Sequence, residues 1–366
     1  MQDTTFHKDF KLNDTSFVTV DELLCYTAKY SDEIHHFLQE WFSQEKYVIV
    51  QTSGSTGTPK AIQLQKKQMQ YSAMATGDFF QLKEKTTALL CLPIAYIAGK
   101  MMLVRALTLG WHIDVIASSA TPLKENYSLY DFSAMIPLQV ENSIDKLHQI
   151  KKLIVGGGVV SNSLQEKLQN RATEVFATYG MTETITHIAV KKLNNFTSLQ
   201  RSLTKERAVK KSAWLKTTRN NSFYQILPNT TIYKDDRDCL VIKNAKIANE
   251  VLFTNDVVNL ISDTQFEWLG RFDTVINSGG IKLHPEKIEE KLANVLKQRF
   301  FIAGILDEKL GEKLVLIVEG SASALDLAKA SLLKFEIPKE IYFIDNFIET
   351  ATKKIQRKKT LDLICM

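Results

Sequence analysis

The sequence predicts an α/β protein: a large N-terminal α/β domain on a largely parallel sheet, then a small C-terminal α+β domain. Three observations predict it. Short β-branched runs at residues 47–51, 87–92, 112–117, 152–155 and 174–179 alternate with helix-like stretches, the pattern of strands joined by crossover helices. From about residue 222 the texture changes to short strands separated by polar turns, and the last stretch mixes strands with helices. Hydrophobic residues make up 45% and charged residues 24% of the 366, ordinary globular values that exclude wholesale disorder or a fibrous repeat.

Taken in order, residues 18–45 carry Leu23, Leu24, Ile34, Phe37, Leu38 and Trp41 at helical spacing. Residues 47–51 (YVIVQ) read as a strand that runs into segment 52–60 (TSGSTGTPK), rich in hydroxyls and glycine. A helix is expected over 66–80, and strands and helices then alternate to residue 179. Beyond 222, Ile232 and residues 240–242, 251–253 and 257–258 mark short strands, and EWLGR (267–271) leads into FDTVINSGG (272–280). Pro285 suits the first turn of a helix, with Ile288, Leu292, Val295 and Leu296 as its apolar face. Residues 313–318 read as a strand and 324–334 as another helix. The boundary is expected at 271–273, giving a large domain over 1–271, with a β-rich part at about 222–271, and a small domain over 272–366.

The four cysteines (Cys25, Cys91, Cys239, Cys365) have no CxxC spacing, which argues against a cysteine-built zinc site and suits a reducing compartment. The N-terminus lacks the apolar core of a signal peptide. The most apolar stretch, 88–99, is broken by Pro93 and too short for a bilayer. A soluble cytoplasmic protein without membrane insertion is expected. Of the +5 net charge, residues 351–366 supply +4, from Lys353, Lys354, Arg357, Lys358 and Lys359 against Asp362. That segment is either a solvated basic tail or one that meets an anionic ligand. No nucleic-acid-binding module accompanies it, so nucleic acid is not an expected partner.

Four patterns could carry chemistry. Segment 52–60 is either a polar surface loop or a nest of backbone N–H groups for phosphate, with Lys60 adding charge. It is not a Walker A loop, because Pro59 precedes the lysine and no Ser or Thr follows it. TYGMTET (178–184) follows a strand, at the edge where α/β sheets bind ligands. There Tyr179 could stack on a base, Thr182 could donate to phosphate and Glu183 could hold Mg²⁺; a core tyrosine beside a capping pair is the plainer alternative. Asp256 and Arg271 could grip a ribose, or be ordinary surface ion-pair partners. A lysine of the basic tail could stabilise charge at a reacting phosphate.

In this order (hydroxyl-rich loop, YGMTE, TND, GRFDTVINSGG, terminal lysine) the motifs resemble those of the adenylate-forming acyl-CoA synthetase (AMP-binding) family over roughly residues 47–360. Three stretches, LPIAYIAGKMM (92–102), LIVGGG (153–158) and YGMTETITHIA (179–189), are similar to the o-succinylbenzoate–CoA ligase branch. The resemblance implies ATP, Mg²⁺ and CoA as cofactor and co-substrates, and a carboxylic acid as substrate. It implies that Thr52, Ser53, Gly54, Ser55, Thr56, Gly57 and Lys60 hold the ATP phosphates. Tyr179 and Gly180 would meet the adenine, Thr182 the α-phosphate, Glu183 the Mg²⁺, and Asp256 and Arg271 the ribose. Asp273 would be the hinge of a mobile C-terminal domain carrying the catalytic Lys354. Gly279, Gly280 and Lys282 would approach the site in the thioester step. Tyr96, Lys100, Arg105, Gly156, Gly157 and Gly158 would line the acid and CoA sites.

The chain departs from the family pattern at Tyr96, where histidine is usual, at Ile348 for proline and at Lys353 for glycine. The phosphate loop also starts early, so the chain reads as N-terminally shortened. Ligation of another aryl or fatty acid, loading of a carrier protein, and non-catalytic adenylate binding are the alternatives.

Overall fold

The computed structural model describes residues 5–51, 61–194, 223–322, 325–349 and 355–364. Its centre is a sheet of thirteen described strands. Six run parallel, in the spatial order Lys11–Leu12, His112–Val115, Thr87–Leu90, Tyr130–Met135, Ile150–Val155, Glu174–Gly180. The remainder is antiparallel: Thr15–Ser16 pairs with Lys11–Leu12 at one edge, His187–Lys192 folds back on Glu174–Gly180, and Tyr224–Ile226, Gln265–Arg271, Leu252–Ser262, Cys239–Lys243 and Thr231–Lys234 continue the sheet. The expected α/β class is therefore found.

Alternation along the parallel strands fills two cores. Ala88 and Leu90 join one cluster, with Phe132 and Ile154. Leu89, Leu153 and Val155 point the other way into a second. Helices Val20–Tyr30, Asp32–Phe42, Lys66–Phe80 and Ile97–Leu109 cover the first face, and Pro137–Asn142 and Asn162–Leu168 the second. Both faces of the parallel part are thus covered, as a doubly wound sheet requires.

The helical stretch 18–45 is two helices. Ser31 ends the first, its N–H bonding Thr27 O, and caps the second by accepting from Ile34 N. Thr19 and Glu22 form a capping box at the start of the first. The strand at 47–51 stands outside the main sheet: Tyr47–Gln51 pairs only with Ala61–Gln65, as an antiparallel two-stranded sheet flanking segment 52–60. Sequence periodicity cannot tell a sheet strand from an isolated ribbon, since both alternate.

The smaller sheet has five strands. Ile281–Leu283, Ile276–Ser278, Gly311–Glu319 and Phe300–Asp307 lie in that order, and Glu340–Ile344 pairs parallel to Gly311–Glu319. Helix Pro285–Leu292 buries Ile288 and Leu292 against Ile302, Leu314, Leu316 and Val318. Phe301, Val315, Ile317 and Phe347 form the core on the opposite face. The helix expected at 324–334 is not formed: the described part holds only a 3-10 turn, Leu327–Ala330, ended by Ser331 at φ +52°. Leu325, Leu327 and Leu332 still bury apolar surface, packing on the core from a loop. Among the described residues no helix is long and apolar enough to cross a membrane.

Candidate active site

The carboxyl ends of adjacent parallel strands bring the glycine segment 156–158, after Ile150–Val155, beside Tyr179 and Gly180 at the end of Glu174–Gly180. Between this edge and the smaller sheet's helix lies a cleft of about 610 Å³, whose lining includes Gly158, Tyr179, Gly180, Asp256, Trp268 and Arg357.

Tyr179 and Asp256 form one unit at the cleft wall. The Tyr179 hydroxyl donates to Asp256 Oδ2 at 2.6 Å, and Trp268 Nε1 donates to Asp256 Oδ1 at 3.0 Å. Burial and the neighbouring carboxylate hold the Tyr179 hydroxyl well above its ordinary pKa, so it stays a donor. Its ring meets Phe266 edge-on at 5.1 Å and Tyr224 at 5.7 Å. Asp256 and Arg271 are directly opposite in the antiparallel pair that holds them. The Arg271 side chain turns along the chain instead, with Nε donating to Asp273 Oδ1 at 3.1 Å.

The segment after Tyr179 is tightly folded. Thr182–Thr184 is a 3-10 turn, with Thr182 half-buried and Glu183 exposed. The buried Thr184 hydroxyl accepts from Met181 N and reaches the Thr186 carbonyl at 2.7 Å. Ile185 then has φ +67° and ψ −61°, and Thr186 N–H bonds Thr184 O at 2.7 Å. That is the γ-turn form that is rare and strained. In a β-branched residue it costs on the order of 1–3 kcal/mol. The turn folds back so closely that a Cβ on Gly180 would lie 2.2 Å from Thr186 O.

Behind this turn is a buried polar cluster. Arg105, on helix Ile97–Leu109, is 2% exposed. Its Nε donates to Thr76 Oγ1 at 3.3 Å, Nη2 to Thr186 Oγ1 at 3.5 Å, and Nη1 meets Met102 Sδ at 3.7 Å. Ser72 Oγ is 2.9 Å from Thr186 Oγ1. Among the described residues no carboxylate pairs with Arg105, and burial lowers its pKa to about 10. Arg105 is thus a buried cation and not a surface ion-pairing residue. Lys100 faces elsewhere, its ammonium 4.6 Å from the centre of the Phe37 ring. Tyr96 is half-exposed at the N-cap of the same helix.

Gly279 and Gly280, at φ +58° and +82°, make the two-residue turn between Ile276–Ser278 and Ile281–Leu283, with Lys282 exposed on the second strand. Thr52, Ser53, Gly54, Ser55, Thr56, Gly57, Lys60, Lys353 and Lys354 lie outside the described residues.

A family model for AMP-binding enzymes matches residues 12–215, more than half the chain. The acyl-CoA synthetase (AMP-forming)/AMP-acid ligase II-like protein of Dyadobacter fermentans is 33% identical, covering 91% of this chain and 93% of that one, with a TM-score of 0.58. The chain belongs to the AMP-binding enzyme family. It is an ATP-dependent, adenylate-forming acid–thiol ligase. A 2-succinylbenzoate–CoA ligase of Bacillus cereus is 24% identical over 349 residues, covering 89% of this chain and 72% of that protein. The o-succinylbenzoate CoA synthetase of Bacillus subtilis shares the fold in its complex with the acyl-adenylate intermediate, at a TM-score of 0.67, with 19% identity and coverage of 93% and 81%. It does so again in its complex with ATP and magnesium, at a TM-score of 0.65, with 18% identity and coverage of 94% and 82%.

In this AMP-binding enzyme the smaller sheet's unit closes one side of the cleft. Lys287 Nζ bonds Glu267 Oε1 at 2.7 Å, and Asn162 Nδ2 donates to Glu290 O at 2.8 Å and to Asn294 Oδ1 at 3.0 Å. Arg357 Nη2 donates to Glu289 Oε2 at 2.8 Å, and burial raises the Glu289 pKa against that pairing. Trp268 and His187 were not singled out from the sequence. Trp268 sits within EWLGR, but only the strand register shows that it reaches Asp256. His187 sits within YGMTETITHIA, and only the γ-turn turns it inward.

Proposed function

We propose that this AMP-binding enzyme activates o-succinylbenzoate as an acyl-adenylate and transfers the acyl group to coenzyme A. The observation that carries the choice of acid is Arg105, a buried guanidinium contacted by two hydroxyls and a thioether, with no carboxylate partner among the described residues. Burying a cation without its counter-charge is costly. An acid with two carboxylates supplies the missing anion through one and reacts through the other. The 2-succinylbenzoate–CoA ligase and o-succinylbenzoate CoA synthetase relatives support the same acid.

In the first step a carboxylate oxygen bonds to the α-phosphorus of ATP, the bond from that phosphorus to the bridging oxygen breaks, and pyrophosphate leaves. Segment 52–60 with Lys60 holds the β- and γ-phosphates, Thr182 donates to the α-phosphate, and Lys354 offsets the charge that gathers there. Tyr179 and Gly180 border the adenine, the glycines at 156–158 the acid, and Asp256 with Arg271 the ribose. Asp256 already accepts one hydrogen bond at each oxygen, and each keeps a lone pair for a ribose hydroxyl. Glu183 is exposed and has no ion-pair partner among the described residues, which suits a Mg²⁺ site completed by substrate phosphates. Bound there, Mg²⁺ supplies charge neutralisation between two anionic reactants.

In the second step the CoA thiolate bonds to the acyl carbon, the bond from that carbon to the phosphate oxygen breaks, and AMP leaves. The small domain turns about Asp273 between the steps, withdrawing Lys354 and bringing Gly279, Gly280 and Lys282 to the site. Mixing the protein with o-succinylbenzoate, ATP, Mg²⁺ and CoA tests this reading. AMP and the acyl thioester are expected in equal amounts; AMP no higher than in the acid-free control contradicts it.

A further inference from the structure

His187 is the other buried group behind the Gly180 turn. It is 7% exposed, and its Nε2 is fully buried with no hydrogen-bond partner among the described residues. A buried nitrogen left unpaired costs free energy and calls for an explanation. Two features show that its position is imposed. It follows the γ-turn at Ile185, whose strain the surrounding structure must hold. It also pairs across the strands with Gly180, whose missing side chain is what lets the turn approach. The same turn delivers the Thr186 hydroxyl to Arg105 Nη2 and Ser72 Oγ. A strained turn therefore presents two successive side chains to one buried guanidinium.

The chemistry of the group follows from its surroundings. Burial and the Arg105 charge lower the His187 pKa to about 3, so the ring is neutral and one nitrogen carries its proton. Arg105 offers only donors, and the hydroxyls can donate or accept. What is lacking is an acceptor with negative charge and more than one lone pair, and a carboxylate supplies both.

We infer that His187 is a specificity residue of the acid site, donating from Nε2 to the second carboxylate of the acyl substrate beside Arg105. This rests on the dicarboxylic-acid reading above. It adds that recognition is two-sided, with the guanidinium supplying charge and the imidazole fixing the carboxylate's direction. The strain at Ile185 is then retained because it aims Thr186 and His187.

The test compares o-succinylbenzoate with 4-oxo-4-phenylbutanoate, which keeps the succinyl arm and lacks the ring carboxylate, using the full chain with ATP and Mg²⁺. The readout is the ratio of kcat/KM for the diacid to that for the monoacid. His187→Met, similar in bulk but without a donor, is expected to lower the ratio about tenfold, the loss of one hydrogen bond to a charged acceptor. His187→Gln, whose amide can donate, should stay within about threefold of wild type. An unchanged ratio in His187→Met overturns the assignment of His187 alone. A wild-type protein that turns over other acids but not the diacid overturns the dicarboxylic reading, and this inference with it. Histidine-selective ¹⁵N NMR of the wild type gives a reading free of variants: the diacid should shift the His187 Nε2 resonance and the monoacid should not. No shift with saturating diacid contradicts the inference.

Discussion

The guanidinium of Arg105 is held by Thr76, Thr186 and Met102, none of which is charged, so its burial opposes folding and is retained for another reason. Arg105→Met should therefore cost no stability, with the thermal midpoint equal to or above that of wild type, while kcat/KM for the diacid falls by at least about tenfold. Loss of more than about 2 kcal/mol of unfolding free energy would show that Arg105 is structural. His187 gives a pH-dependent counterpart. Its pKa falls from 6.5 to about 3 on folding, through burial and then the charge of Arg105. The unfolded chain therefore binds the proton more readily. The contribution of His187 is complete above pH 6.5 and declines as the pH falls toward about 3, by about 1.4 kcal/mol per pH unit. Urea unfolding of wild type and His187→Gln at pH 7 and pH 5.5 isolates that term. The gap between them should shift in favour of the variant as the pH drops, and a constant gap would contradict the buried, neutral ring. Arg105 could be named from the sequence through the family resemblance of the motifs around it. His187 could not, because a histidine in an alternating strand reads the same whether it faces solvent or a charge.

At the scale of elements, the stretch from Gly180 to His187 links the cleft proposed for the nucleotide to the buried cluster around Arg105. Glycine at 180 is required by a close approach to backbone: the nearest atom to an added Cβ is the carbonyl of Thr186, which cannot rotate away as a side chain would. Gly180→Ala should destabilise the protein by about 1–3 kcal/mol, measured by chemical denaturation. It should also lower kcat/KM for the diacid more than for the monoacid, because the displaced atoms belong to the turn that carries Thr186 and His187. An equal loss for both acids would separate the turn from acid recognition. Elements with one strong period were legible in the sequence, such as helix Lys66–Phe80, the parallel strands and helix Pro285–Leu292. The failures have physical causes. Ser31 serves as both stop and start, so two helices read as one. Around Leu327 the apolar spacing is helical, but the leucines pack onto a sheet from a loop. The γ-turn at Ile185 has no sequence signal, since a β-branched residue there opposes local preference.

At the scale of the whole molecule, the large sheet ends at Arg271 and the smaller one begins at Ile276, with Arg271 bonded to Asp273 between them. Among the described residues, the hydrogen bonds that set the smaller unit against the cleft are polar side-chain contacts: Lys287 with Glu267, and Asn162 with Glu290 and Asn294. Polar contacts of this kind release more readily than an apolar interface, which suits a unit that turns between two half-reactions. Lys354→Ala should abolish adenylation, followed by pyrophosphate exchange, and leave thioester formation from supplied acyl-adenylate largely intact. Equal loss in both assays would remove Lys354 from its proposed role in the first step. The order of motifs along the chain carried the family. The grouping of Arg105 with Thr76, Ser72, Thr186 and His187, on which the proposed acid site rests, became visible only when the fold brought helix Ile97–Leu109, helix Lys66–Phe80 and the turn at Ile185 together. Selection of a dicarboxylic acid by a buried cation can be measured by pyrophosphate exchange on the wild-type protein with o-succinylbenzoate and 4-oxo-4-phenylbutanoate in parallel. The kcat/KM for the diacid is expected to be at least about tenfold above that for the monoacid, from two hydrogen bonds to a charged group. Equal values for the two acids, or a preference for the monoacid, would contradict it.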